Sequence, residues 1–216
     1  MGELGLMGIA VPERWGGAGS DMVSYVVALE EIARVCASHA VVMSVNNSLY
    51  GYPVLTYGTD AQRERFLKPV ASGQAHGCFA LTEPQAGSDA RNQATLARRD
   101  GADYVITGRK MFITNGREAS FALVFAQTDV AAARRGITAF IVEKGTPGFS
   151  VSKTEDKLGI RASDTAELVF DECRVPAASH RIGEEGQGFR IALSTLDGGA
   201  IGIAAQALGI AARPYT

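Results

Sequence analysis

The chain has 216 residues, 46% of them hydrophobic, with 21 basic and 23 acidic side chains for a formal net charge of -2. That length and composition fit a globular protein of one large domain or two small ones and argue against disorder. Charges of both signs are interspersed without a run of either, so there is no electrostatic footprint for nucleic acid or an anionic membrane, and neither is an expected partner.

Gly16-Gly17-Ala18-Gly19 reads as a flexible loop, and Ser20 and Asp21 as N-cap residues for a helix that follows. Val23, Val26, Val27, Glu30, Glu31 and Arg34 separate apolar from charged positions at helical spacing, which predicts an amphipathic helix ending near Cys36. The apolar stretch from His39 to Leu49 is read as a second helix. Thr59 with Gln62 forms a capping-box pattern opening a third, through Glu64 and Phe66, with Pro69 or Gly73 as its stop. Residues 1–76 are therefore expected to form a helical N-terminal domain.

From about Gly77 the texture changes to short β-branched and aromatic runs: Tyr104-Val105-Ile106-Thr107, Ala122-Leu123-Val124-Phe125, Thr138-Ala139-Phe140-Ile141-Val142 and Glu167-Leu168-Val169-Phe170. Gly101, Gly108, Gly116, Gly136, Pro147-Gly148 and Asp171 punctuate them, which predicts an antiparallel β-barrel or sandwich over 77–185. Helical patterning returns at Gly188 with Phe189, Ile191, Leu193, Leu196, Ile201, Ile203, Leu208 and Ile210, apolar on most of its circumference and in need of other protein to cover it. Residues 186–216 are expected to be the first helix of a further domain, broken at Pro214. No stretch approaches the ~18 consecutive apolar residues of a membrane helix, and no basic segment followed by an apolar run opens the chain. The expected location is the cytoplasm, or the mitochondrial matrix if a transit peptide has been lost.

Chemistry is suggested first by Thr82-Glu83-Pro84-Gln85-Ala86-Gly87-Ser88-Asp89, where a hydroxyl, small residues and open backbone N–H groups come together. On its own it is either a plain loop after a strand or a loop suited to a diphosphate. Lys157 and Arg161 read as phosphate ligands or, as the better default, a solvated charged turn. Gly183-Glu184-Glu185-Gly186-Gln187-Gly188 lacks the G-x-G-x-x-G order and any βαβ context, which argues against a nicotinamide site. Cys36, Cys78 and Cys173 form no C-x-x-C pair, and His39, His76 and His180 have no ligand spacing, so reduced thiols and no metal site are expected.

The run Cys78-Phe79-Ala80-Leu81-Thr82-Glu83-Pro84-Gln85-Ala86-Gly87-Ser88-Asp89, followed by Phe112-Ile113-Thr114-Asn115-Gly116 and Lys157 to Thr165, resembles the flavin-binding half of an acyl-CoA dehydrogenase. The resemblance runs from the first residues to about Ala211. It is strongest to the short-chain, butyryl-CoA type, through Met43-Ser44-Val45-Asn46-Asn47-Ser48-Leu49-Tyr50. It implies an α+β fold, with a β-domain between a helical N-terminal part and the start of a second helical domain, and a chain incomplete at both ends. It also implies FAD as cofactor, an acyl-CoA substrate, an electron-transfer flavoprotein as acceptor and a homo-oligomer.

By the same resemblance Phe79, Ala80, Leu81 and Thr82 lie along the isoalloxazine edge, and Gly87 and Ser88 near the pyrophosphate. Phe112, Ile113 and Thr114 lie against the ring, with Ser88 and Asp197 near the CoA moiety. The family reaction is α,β-desaturation: a glutamate, expected beyond this C-terminus, removes the α-proton while hydride passes to the flavin. Two positions depart from the family pattern, Phe112 where Trp is commoner and Ala200 where Asp-x-x-Arg has its arginine. Asp197 is alternatively an exposed helical carboxylate. An inactive remnant that binds CoA thioester or a partner chain, and a flavin oxidase on the same scaffold, are the competing readings.

Overall fold

Asp21 opens the first long helix, its carboxylate accepting the Ser24 N–H at 2.8 Å. In the computed structural model, which describes residues 1–212, this helix, α1, spans Met22–Val35. The next, α2 (Ala37–Ser44), runs on through a π-helical segment, Val45–Gly51, into α3 (Tyr52–Tyr57). The Thr59 capping box forms as expected, with Thr59 N–H donating to Gln62 Oε1 at 2.8 Å and Gln62 N–H to Thr59 Oγ1 at 3.3 Å. It starts α4 (Asp60–Gln62), a second π-helical segment (Arg63–Leu67) and α5 (Lys68–Ala71). Each π segment ends two residues before a proline, Pro53 or Pro69. Proline lacks an N–H and its ring crowds the carbonyl four residues back, and a widened turn ahead of it lets the helix continue. Pro69 therefore does not end the third helix; the chain turns at Gly73, with φ 76°.

The strands are β1 (Gly77–Ala80), β2 (Leu96–Asp100), β3 (Asp103–Thr114), β4 (Phe121–Gln127), β5 (Ile137–Glu143), β6 (Phe149–Thr154), β7 (Thr165–Pro176) and β8 (Arg181–Ile182), with a short α6 (Ala177–His180) before the last. They form one sheet in the order β6-β7-β3-β2-β4-β5-β8, with β1 also paired to β4. The β2–β3, β3–β7, β4–β5, β5–β8 and β6–β7 ladders are antiparallel, as expected. The β1–β4 and β2–β4 pairings are parallel, so the sheet is mixed. β1 arrives from the helical part rather than through a hairpin, and nothing local forces it to run antiparallel.

β4 and β5 are buried on both faces, with alternate residues in two cores. Leu123, Phe125, Ala139 and Ile141 meet Val54, Phe66 and Leu67 of the helical part. Val124, Ala126, Phe140 and Val142 meet Tyr104 and Ile106 of β3 and Leu168 and Phe170 of β7, a core around which the sheet curls.

The last helix, α7 (Gly188–Ala212), returns to pack on α1 and α2. The approach is close because Gly202 and Gly209 face α1: a Cβ on Gly202 would lie 2.4 Å from Tyr25 Oη, and one on Gly209 2.3 Å from Glu30 O. Ile191, Ala192, Thr195, Ala205 and Gln206 are buried, while Leu193, Leu196, Ile203, Leu208 and Ile210 stay exposed, the uncovered face that the composition predicts. Among the described residues α7 is the helix long and apolar enough on average to cross a membrane by length and composition. As the sequence indicates, it holds no ~18 consecutive apolar residues, and it packs in part on α1 and α2, as the core helix of a soluble protein also does. Ser194, Thr195, Asp197 and the glycines interrupt its apolar run without lowering the helix average enough to exclude it. The expected break at Pro214 lies outside the described residues.

Candidate functional site

Strand alternation in β1 divides its residues between the two cores. Cys78 and Ala80 face the core enclosed by the sheet, and Phe79 and Leu81 face the helices. There Phe79 and Leu81 form part of a cavity of about 510 Å³, within the range of small-molecule sites. Val45 and Leu49 of the first π-helical segment and Phe189, Leu193 and Leu196 of α7 supply apolar walls. Thr82 and the stretch Gly87 to Arg91 supply a polar side, and Phe112, Ile113 and Thr114 at the end of β3 complete it.

The residues expected around a flavin are thus brought together, with Ala80 as the exception. It is fully buried on the opposite face of β1, because alternation sends every second side chain away from the helices. Asp197 does not join Ser88. It lines a separate cavity of about 380 Å³ between α1, the first π segment and α7, beside Tyr25, Tyr52 and Ser194.

Phe112 has a conformation that packing alone does not account for. Its φ is 58°, in the left-handed region, and its side chain is 60% exposed. The β3–β7 register slips between Lys110 and Ile113, and a bulge of this kind re-aims a side chain. Simple alternation would turn Phe112 to the same side as Lys110; instead it stands at the cavity edge. A bulky residue at positive φ costs on the order of 1–3 kcal/mol, and such cost concentrates at binding sites.

Lys110 points the other way, into the protein, and its side chain and that of Glu83 are 0% and 2% exposed. Its ammonium donates to Glu83 Oε1 at 2.7 Å, Leu81 O at 3.1 Å and Gln93 Oε1 at 3.2 Å. Glu83 in turn accepts from the Ala94 N–H at 2.6 Å, the Thr95 N–H at 3.2 Å and Gln85 Nε2 at 2.6 Å. Burial pushes the Lys110 ammonium down to about 8, against the upward pull of Glu83. Burial works to raise the Glu83 carboxyl, but Lys110 and the hydrogen bonds from Thr95 and Ala94 bring it below its ordinary value. The 2.7 Å Nζ–Oε1 contact, with the loop amides turned onto Glu83, is the geometry of an ion pair.

No motif in the sequence points to Lys110. The signal was available: Tyr104, Ile106, Gly108 and Lys110 share one side of β3 by alternation, and the first two are core residues. Val45 and Leu49, which lie in the segment of resemblance to the short-chain type, and Phe189, Leu193 and Leu196, which carry no motif, are not expected at the site from sequence and reach the cavity through the tertiary fold. Lys157 donates to Ser163 O at 2.5 Å and Thr165 Oγ1 at 2.8 Å, and Arg161 pairs with Asp156 at 3.0 Å; neither side chain lines the cavity, although Thr165 is the cross-strand partner of Thr114.

The lining suits a flat, partly apolar ring system with polar edges. Phe79, Leu81 and Phe112 offer surface that excludes water, Ile113 borders the cavity while packing in the sheet core, and Thr82, Ser88 and Thr114 offer hydroxyls that make no hydrogen bond among the described residues. Asp89 is the carboxylate among the lining residues, and it is paired with Arg91 at 2.8 Å.

Comparison with known proteins agrees with this geometry. Residues 1–74 match the acyl-CoA dehydrogenase N-terminal domain and residues 78–173 the acyl-CoA dehydrogenase middle domain. The short-chain specific acyl-CoA dehydrogenase of Bos taurus mitochondria is 56% identical over 211 residues, which are 98% of this chain and 51% of that protein. The solved butyryl-CoA dehydrogenase of Megasphaera elsdenii superposes with a TM-score of 0.95 at 49% identity, covering 98% of this chain and 56% of the other. A glutaryl-CoA dehydrogenase of Mycobacterium smegmatis, solved in complex with FADH2, superposes with a TM-score of 0.89 at 41% identity, over 98% of this chain and 53% of that one. The chain spans about half the length of the curated relatives it matches. With both domains matched and the fold superposing on these enzymes, the chain belongs to the acyl-CoA dehydrogenase family, of which residues 1–74 and 78–173 are the N-terminal and middle domains.

Proposed function

We propose that this chain is the flavin-binding half of a short-chain acyl-CoA dehydrogenase, with FAD held in the cavity between β1, β3 and α7. The observation that carries the reading is Phe112, strained, exposed and aimed at a cavity whose other walls are Phe79, Leu81, Thr82 and Thr114. When bound, FAD supplies the acceptor for the hydride leaving the acyl β-carbon. Phe79, Leu81 and Phe112 would shield the ring from water, and the free hydroxyls of Thr82 and Thr114 would be available to its polar edge. Ser88 and the backbone of Gly87, on the polar side of the cavity, would suit the phosphate-bearing part of the cofactor or of an acyl-CoA.

No residue of this chain is assigned as the proton-abstracting base, since Asp89 is engaged by Arg91 and Glu83 by Lys110. The same observation favours a second reading, a part that binds flavin or CoA thioester without desaturating it. An electron-transfer flavoprotein as acceptor follows from family membership. The uncovered stripe Leu193, Leu196, Ile203 and Ile210 supports association with further protein. The mitochondrial Bos taurus relative supports a matrix or, in a bacterium, a cytoplasmic location.

The test is an FAD titration of the purified chain, followed by anaerobic butyryl-CoA with the absorbance near ~450 nm monitored. Saturable FAD binding with bleaching is the result expected of a complete dehydrogenase, and binding without bleaching supports the second reading. A chain that takes up no FAD overturns the cofactor assignment, and rapid reoxidation by oxygen after bleaching marks an oxidase.

A further inference from the structure

The segment from Thr82 to Gln93 leaves β1, lines the cavity with Thr82 and Gly87 to Arg91, and rejoins the sheet at β2. Few of its residues are in regular structure, so its shape depends on what fixes its two ends. Those ends meet at one buried point. Lys110 Nζ contacts Leu81 O and Glu83 at the outgoing end and Gln93 at the returning end, and Glu83 receives the N–H groups of Ala94 and Thr95. The neighbouring Met111 N–H donates to Thr82 O at 2.8 Å, which fastens the outgoing end to β3. Two residues after Lys110 comes Phe112, turned outward by the bulge that begins at Lys110.

We propose that Lys110, through its pair with Glu83, is a positioning residue for the cofactor cavity, holding the Thr82 to Gln93 loop and the Phe112 bulge at a fixed separation. It touches neither the cavity nor a ligand and acts through Glu83, Leu81 and Gln93. The inference rests on the reading of this cavity as a flavin site. It goes further in separating what folds the domain from what shapes the site. A lysine buried only to fill space would need one partner, whereas here its three donors reach Leu81 and Glu83 at the outgoing end of the loop and Gln93 at its returning end, which closes the loop upon itself. Loop closure of this kind lowers the entropy that a ligand would otherwise have to remove on binding.

The test compares the wild-type chain with Lys110→Met and with the double variant Lys110→Met/Glu83→Gln. Removing one partner leaves a buried charge, whereas the double variant removes both charges and keeps a neutral acceptor for the loop amides. Hydrogen exchange and FAD titration are read on each. The expected result is slow exchange of the Ala94 and Thr95 amides in the wild type. In the double variant, melting stays near wild type, exchange across Thr82 to Thr95 is faster, and FAD binds about tenfold more weakly, the loss of roughly one net hydrogen bond's worth of preorganisation. A folded double variant with wild-type exchange and wild-type FAD affinity overturns the proposal. So does fast exchange of Ala94 and Thr95 in the wild type, which is readable even where the variants fail to fold. If the wild type binds no FAD, the flavin reading fails by itself, and the exchange comparison still decides whether Lys110 holds the loop.

Discussion

Gly77 presents its Cα directly to the Tyr50 ring: a Cβ at position 77 would lie 2.1 Å from Tyr50 Cγ. This contact seats β1 on the first π-helical segment. It is reinforced by Asn46, whose Oδ1 accepts the Gly77 N–H at 3.1 Å. Since β1 carries Phe79 and Leu81 into the cavity, the spacing of the cavity wall depends on a missing side chain. Gly77→Ala is expected to cost about 3 kcal/mol or more, or to prevent folding, because the methyl meets the face of a fully buried ring that has nowhere to move. Tyr50→Phe removes only the hydroxyl that donates to Phe66 O at 3.3 Å and should cost about 1 kcal/mol. Urea melts of both variants check the ordering, and a Gly77→Ala chain as stable as wild type would contradict the contact.

Phe112 separates stability from binding. Glycine adopts φ 58° without strain, so Phe112→Gly should leave the melting temperature unchanged or slightly raised despite the loss of a large side chain. FAD affinity should fall in the same variant, because the ring wall is lost. Phe112→Trp fits the same exposed position with a larger stacking surface and should bind at least as tightly as wild type. Thermal melts and flavin titrations on the three chains test this, and a Phe112→Gly variant that melts far below wild type would show that Phe112 is a packing residue instead.

His180 gives the fold a defined acid sensitivity. It is buried against Phe66, ring centroids 5.3 Å apart, with Nε2 3.1 Å from Glu143 Oε1. Burial lowers its proton affinity in the folded state, with Glu143 opposing in part. The unfolded chain therefore takes up a proton first as pH falls below about 6.5, and stability from this residue declines from there down to the folded value. Denaturant melts at pH 7.5 and 5.5 should show a smaller loss for His180→Gln than for the wild type. Equal losses in the two chains would remove His180 from the account.

Much of this was legible in the sequence where one rule acts locally. The Asp21 cap, the Thr59 box and the four strongest strands follow from spacing and turn chemistry. The loop from Thr82 and the Phe112 segment were legible as motifs, and the fold brings them to one cavity. What escaped depends on pairing at a distance. β6 is exposed almost throughout at the sheet edge and β2 has Arg98 and Arg99 in its middle, so neither shows the alternation of a half-buried strand. The parallel β1–β4 pairing has no local signature, and the second π segment precedes Pro69, which reads as a helix stop. Asp197 belongs to the helix face turned toward α1 rather than toward Ser88, a rotation that a motif spacing alone does not fix.

The three cysteines should differ sharply in reactivity. Cys78 is fully buried and burial pushes its thiol far above the ordinary range, and Cys173, also buried, is pushed up to about 11. Cys36 sits between α1 and α2, partly exposed, with His39 Nδ1 3.1 Å from its Sγ. The His39 hydrogen bond, together with backbone N–H groups at the start of α2, brings that thiol down to about 7. The thiolate is the nucleophile, so near neutral pH Cys36 should hold far more of the reactive form than the other two. Brief iodoacetamide treatment of the folded chain should therefore label Cys36 alone, with a rate that reaches half its maximum near pH 7. His39→Asn should move that midpoint upward toward the ordinary thiol value of about 8.5, with the fold unchanged because His39 lies outside the buried core. Labelling of Cys78 or Cys173 at a comparable rate would mean that the sheet core opens to solvent on the timescale of the reaction, and an unmoved midpoint in His39→Asn would assign the shift to the helix terminus alone.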